Sequence, residues 1–90
     1  MYLNDALACA PDMEAVTCHH EQACGIAAEA YGRTGYKENP GLGVAMVTTG
    51  PGATNVVTPI AGAWIDSIPL LIISGQAKRP DRINGRLIRQ

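Results

Sequence analysis

The chain has 90 residues, enough for one small domain and too few for two. Apolar residues make up 47% of it, so the composition calls for a core and excludes a disordered chain. The net charge of −1 gives no global drive toward nucleic acid or an anionic membrane.

There is no Phe and one Trp, so packing must come from Ala, Val, Ile and Leu. The three cysteines are an odd number without a disulfide framework, which points to a reducing, cytoplasmic setting. No apolar run approaches the ~20 residues of a membrane span. The start, Met1-Tyr2-Leu3-Asn4-Asp5, lacks a basic-then-apolar leader pattern.

Leu3, Ala6, Leu7 and Ala10 fall at helical spacing, and Pro11 stops that helix. Residues 14–18 then read as a short strand. A second helix follows, with an apolar stripe of Ala23, Ile26, Ala27, Ala30 and Tyr31. Glu29 and Arg33 form a favourable i,i+4 pair on it, and Gly32 and Gly35 are its expected terminators. Residues 37–41 form a polar loop with Pro40. Residues 42–47 are nearly all apolar, as in a parallel strand buried on both faces.

A glycine-rich turn, Thr48-Thr49-Gly50-Pro51-Gly52-Ala53-Thr54-Asn55, leads into a third helix with Val56, Val57, Ile60, Ala61, Trp64 and Ile65. An interior Pro costs a helix about 3 kcal/mol, so Pro59 predicts a start near Thr54 or Asn55 and a distortion. Residues 69–74 are another apolar strand, ended by Gly75-Gln76. The tail, residues 77–90, sets Lys78, Arg79, Arg82, Arg86 and Arg89 against Asp81. Such a tail is a solvated surface or a docking segment; without interleaved aromatic residues, it does not read as a nucleic-acid binder.

Alternating helices and strands with short links argue for an α/β fold, three layers deep, with a central parallel sheet. Because the pattern opens on a helix, it reads as a partial domain that lacks its first strand.

Chemistry concentrates at His19-His20-Glu21-Gln22-Ala23-Cys24-Gly25. Glu21 stands where a strand hands over to a helix, the edge where ligands bind in parallel α/β sheets. It is either an ordinary first-turn acid favoured by the helix dipole or an acid that shares a proton with a ligand nitrogen. Cys18, His20 and Cys24 have zinc-like spacing but miss the second His of the protease motif; Cys24 is equally a core residue. Gly50-Pro51-Gly52 is either a phosphate cradle at a helix start or a tight strand-to-helix turn. Gln76 binds ligand or caps backbone groups.

The ordered set His20-Glu21-Gln22, residues 29–35 (Glu-Ala-Tyr-Gly-Arg-Thr-Gly), residues 49–55 (Thr-Gly-Pro-Gly-Ala-Thr-Asn), residues 66–70 (Asp-Ser-Ile-Pro-Leu) and Ser74-Gly75-Gln76 resembles the N-terminal, pyrimidine-binding domain of thiamine-diphosphate enzymes. Within them it is similar to the acetolactate synthase large subunit. The resemblance implies that Glu21 hydrogen-bonds the cofactor's aminopyrimidine and drives it to the imino form. That form takes the thiazolium proton ahead of attack on a 2-keto acid, which loses carbon dioxide.

It also implies that Gly50, Pro51, Gly52 and Asn55 lie against the pyrimidine ring and that Gln76 lines the same site, with no metal ligand in this stretch. The diphosphate and its Mg2+ belong to a C-terminal domain with a Gly-Asp-Gly motif, which this sequence lacks, and the site forms between two subunits of a homo-oligomer. Pro59 and the tail after Gln76 depart from acetolactate synthases proper, which leaves the substrate and a flavin, FAD, open. The alternative is a truncated, non-catalytic α/β binding module.

Overall fold

The computed structural model describes residues 2–35 and 41–77. The elements run α1 (Tyr2–Cys9), α2 (Glu21–Arg33), β1 (Gly43–Val47), α3 (Pro51–Asn55), α4 (Val57–Ile65) and β2 (Leu70–Ser74). The expected loop around Pro40 and the basic tail from Lys78 lie outside the described residues.

The fold is α/β with a parallel sheet, as expected. Among the described residues the sheet has two strands, paired from Gly43–Leu70 through Val47–Ser74. Backbone bonds extend the pairing beyond both ends: the Gly43 N–H donates to the Pro69 carbonyl, and the Gly75 N–H to the Val47 carbonyl, each at 3.0 Å. The strands therefore stop level with one another. Their carboxyl ends, Thr48-Thr49 and Gly75-Gln76, form one edge.

The strand expected at residues 14–18 does not form; that segment is irregular, and every residue in it is exposed. Its β-branched and apolar side chains favour a strand only where a neighbouring strand and a covering surface receive them. Neither meets this segment among the described residues, and Val16 is 77% exposed.

Helix α2 begins where His20 caps it. His20 has extended backbone (φ −150°, ψ 140°), and its Nδ1 accepts from the Gln22 N–H at 3.1 Å. That satisfies one of the orphan amides of the first turn. The helix ends at Thr34, whose N–H reaches the Ala30 and Tyr31 carbonyls. Gly32, expected to end the helix, lies inside it and serves close packing instead: a Cβ there would stand 2.6 Å from the Pro69 carbonyl oxygen. The Glu29–Arg33 pair forms as expected, and Arg33 also holds Asp66, the cap residue of α4, tying the far ends of α2 and α4 together.

The buried face of α2 is not the expected stripe. Gly25, Ala28 and Gly32 are buried, while Ile26 and Tyr31 are exposed. The same inversion holds on α4, where Pro59 and Ala63 are buried and Trp64 is 85% exposed. Close approach decides this. A Cβ on Gly25 would lie 2.6 Å from the Pro59 ring, so small residues let α2 lie tight against α4 and β1. The core is accordingly small: Ala28, Ala45, Val47, Val56 and Ala63.

The third expected helix is two helices. Pro51 opens α3 at its first turn, the chain breaks at Val56, and α4 follows with Pro59 as its third residue. Proline lacks the N–H that would continue the ladder back to Asn55. Breaking at Val56 puts Pro59 in a first turn, where no N–H is missed. This delivers the distortion expected from Pro59 and corrects the start, which is Pro51 rather than Thr54 or Asn55.

Candidate functional site

The site is assembled from two places distant in sequence, the start of α2 and the stretch from the end of β1 through α3. Glu21 opens α2, the first residue after the His20 cap. Thr48, Thr49 and Gly50 leave the carboxyl end of β1, and Asn55 ends α3. Gly50 has φ +63° and ψ −112°, a backbone state that side chains resist. It turns the chain sharply enough for α3 to begin immediately. Gly52 then packs so closely that a Cβ would stand 2.7 Å from the Thr48 methyl and 3.4 Å from Cγ of Glu21. The glycine turn thus meets the stem of Glu21.

The head of Glu21 is held from the same side. Asn55 Nδ2 donates to Glu21 Oε2 at 3.0 Å. This bond holds the Glu21 carboxyl below its ordinary pKa of 4.5, helped by its own backbone N–H and by nearby His20, against a smaller upward push from burial. Apolar neighbours do not hold that pKa up: Val16 is largely exposed, and hydrogen bonding outweighs desolvation. Glu21 is therefore a carboxylate at neutral pH, with Oε1 as a second acceptor. The bond to Asn55 stabilises the fold above pH 4.5 and is lost as pH falls through the lowered value. Asn55→Leu is expected to bring the Glu21 pKa back up toward 4.5, read by carboxyl-carbon NMR against pH; an unmoved titration would mean that Asn55 does not control it.

Glu21 and Thr48 both line a cleft of about 550 Å³ bounded also by Leu7 and Ala8 of α1, residues 13–20, Cys24 and residues 44–47. Its size suits a small organic molecule, and its lining as a whole is more apolar than polar. Gly50, Pro51 and Asn55 stand on the α3 side of Glu21, and Gln76 on the sheet edge. Gln76 is exposed, and its Oε1 accepts from the Ala77 N–H at 2.9 Å, the backbone-capping role. Of the residues expected in a site, Glu21, Gly52 and Asn55 are thus brought together by direct contact, and Gln76 is engaged with its own neighbour.

The zinc alternative lacks its ligand set: among the described residues no three His, Cys, Asp or Glu side chains come together to hold a metal. His20, one of the three, uses Nδ1 as a helix cap. The phosphate-cradle alternative for Gly50-Pro51-Gly52 is disfavoured, because Gly52 packs against the Glu21 side chain, whose carboxylate would stand as a like charge beside a bound anion. Thr48 and the Asn55–Glu21 bond had no sequence signal of their own. Among the described residues no helix is long and apolar enough to cross a membrane.

The sequence matches, over residues 1–87, the family described as thiamine pyrophosphate enzyme, N-terminal TPP binding domain. The chain belongs to this family. Similar proteins include the mitochondrial acetolactate synthase of Schizosaccharomyces pombe, 51% identical over 72 residues, covering 80% of this chain and 10% of that protein. The acetolactate synthase large subunit of Buchnera aphidicola subsp. Schizaphis graminum is 47% identical over 72 residues, covering 80% of this chain and 12% of the relative. The mitochondrial acetolactate synthase catalytic subunit of Saccharomyces cerevisiae is 53% identical over 57 residues, covering 63% and 8%. The chain therefore spans about a tenth of the length of these relatives.

Proposed function

We propose that this chain is the pyrimidine-binding part of a thiamine-diphosphate-dependent enzyme that acts on 2-keto acids in the manner of acetolactate synthase, with Glu21 as the proton partner of the cofactor ring. The observation that supports this reading is the Glu21 carboxylate, fixed by Asn55 and backed by Gly52, on an apolar cleft of suitable size.

When bound, thiamine diphosphate supplies the electron sink for loss of carbon dioxide from a 2-keto acid. The residues here fit its ring end. Ionised Glu21 accepts a hydrogen bond from a protonated ring nitrogen, and a fixed carboxylate at that atom favours the protonated ring. Asn55 keeps Glu21 in one rotamer, so the acceptor does not have to be ordered when the ring arrives. Gly50, Pro51 and Gly52 offer a backbone wall beside the Glu21 stem, where Gly52 leaves no room for a side chain. Gln76 lies on the same sheet edge and can turn from Ala77 toward a substrate.

The diphosphate and its Mg2+ need a cationic or acidic ligand set that this site does not have, so both are assigned to the rest of a longer protein, across a homo-oligomer interface.

The test is carbon dioxide release from pyruvate and related 2-keto acids by the protein in its longest natural form, with and without thiamine diphosphate and Mg2+. Release that depends on both is expected. A protein that binds the cofactor yet releases none from any 2-keto acid would favour a non-catalytic binding module instead.

A further inference from the structure

We propose that Cys18 and Cys24 are a thiol pair that closes to a disulfide at the wall of the Glu21 cleft, oxidised by a low-molecular-weight disulfide of the glutathione type. Both are free, and both line that cleft. Cys18 is exposed and ends the irregular segment, whereas Cys24 is half-buried in the first turn of α2. The chain bends at His19 and His20, and the Cys24 N–H bonds the His20 carbonyl at 3.1 Å. Cys18 thus stands two residues before the helix cap and Cys24 four residues after it, and both residues line one cleft wall.

Electrostatics agree with the proximity. Burial pushes the Cys24 thiol up most, the neighbouring Cys18 thiol pushes it further, and the Met46 backbone N–H pulls it partly back. Residues 14–18 belong to no helix or strand, so Cys18 can shift to meet the narrow Cα spacing of a disulfide without breaking a ladder. His20 is occupied as a cap, and no third metal ligand joins the pair among the described residues. Two adjoining thiols without a metal partner are left with redox chemistry.

The step balances by ordinary exchange. The Cys18 thiolate attacks one sulfur of the external disulfide, forming a mixed disulfide and releasing one thiolate. Cys24, on losing its proton, attacks Cys18 Sγ, forming the Cys18–Cys24 bond and releasing the second thiolate. Two protein thiols are oxidised, and one external disulfide is reduced to two thiols. The exposed Cys18 is the residue that meets the oxidant, and the more buried Cys24 resolves it. Glu21 falls in the middle of the ring so closed, so oxidation acts on the cap and first turn that position it. That consequence rests on the function proposed above; the disulfide itself does not.

The full chain is equilibrated across reduced-to-oxidised glutathione ratios, quenched in acid, alkylated and cleaved after glutamate, which cuts at Glu21 between the two cysteines. Mass spectrometry is expected to show residues 15–21 linked to residues 22–29, two hydrogens lighter than the reduced pair. The link should persist in Cys9→Ser, vanish in Cys18→Ser, and reverse with dithiothreitol. Cys9→Ser compared with the parent decides the matter even where Cys24→Ser fails to fold. Glutathione adducts on both cysteines without a link, full alkylation at every ratio, or a link through Cys9 would each overturn the proposal.

Discussion

Glu21→Gln in the full-length enzyme is expected to lower turnover by about 10²–10⁴-fold, the usual size for losing an acid–base group, while cofactor binding falls far less. Glutamine has nearly the same shape, keeps the contact with Gly52 and can still accept from Asn55 through its amide oxygen. What it loses is the charge that favours a proton on the ring nitrogen. The control is Glu29→Gln. Glu29 is bound to Arg33 on the far end of the same helix, and Arg33 keeps Asp66 as a second partner. That change should cost at most about 1 kcal/mol of stability and leave turnover unchanged. If both variants lose activity equally, the effect is on folding and not on chemistry.

Gly50→Ala and Gly62→Ala should act in opposite directions, although both add the same methyl group to a glycine next to open space. Apart from chain neighbours and, for Gly62, its own helix backbone, no atom stands within 4 Å of a Cβ built at either position. At Gly50 the backbone has φ +63°, so alanine is strained by about 1–3 kcal/mol. Gly62 lies inside α4, where alanine removes unfolded-state freedom and should stabilise by about 0.5–1 kcal/mol. Urea unfolding of the full chain, followed by far-UV circular dichroism, reads both. Gly50→Ala should also release Asn55 from Glu21, because the turn aims α3. An equal, small effect at the two positions would mean that the sharp turn before α3 is not required.

Parts of this architecture are legible in the sequence because they are local. The Glu21 helix start, the Glu29–Arg33 pair, the two apolar strands and the distortion caused by Pro59 each depend on residues a few positions apart. Other parts are not local. Periodicity marks a stripe on α2 and α4 without saying which surface meets it. The glycines and alanines that permit close packing are silent on a hydrophobicity scale, so Ile26 and Trp64 were expected inside and stand outside. The irregular segment before α2 has strand-like residues but, among the described residues, no strand beside it. Glu21 and Asn55 are 34 positions apart, and only the fold of the turn after β1 brings them into contact. The direction of the Glu21 pKa follows from that contact, which no run of neighbouring residues reveals.

The account stands most directly on one measurement: the rate of hydrogen–deuterium exchange at the thiazolium C2 of thiamine diphosphate bound to the full-length enzyme, compared between the parent and Glu21→Gln at neutral pH by acid quench and proton NMR. Exchange is independent of substrate, flavin and product release, so it reads the proton partner alone. Exchange is expected to be slower in Glu21→Gln by about 10²-fold or more, with bound cofactor confirmed in both. Equal exchange rates in the two proteins would contradict it and leave Glu21 as a first-turn acid that caps a helix and nothing more.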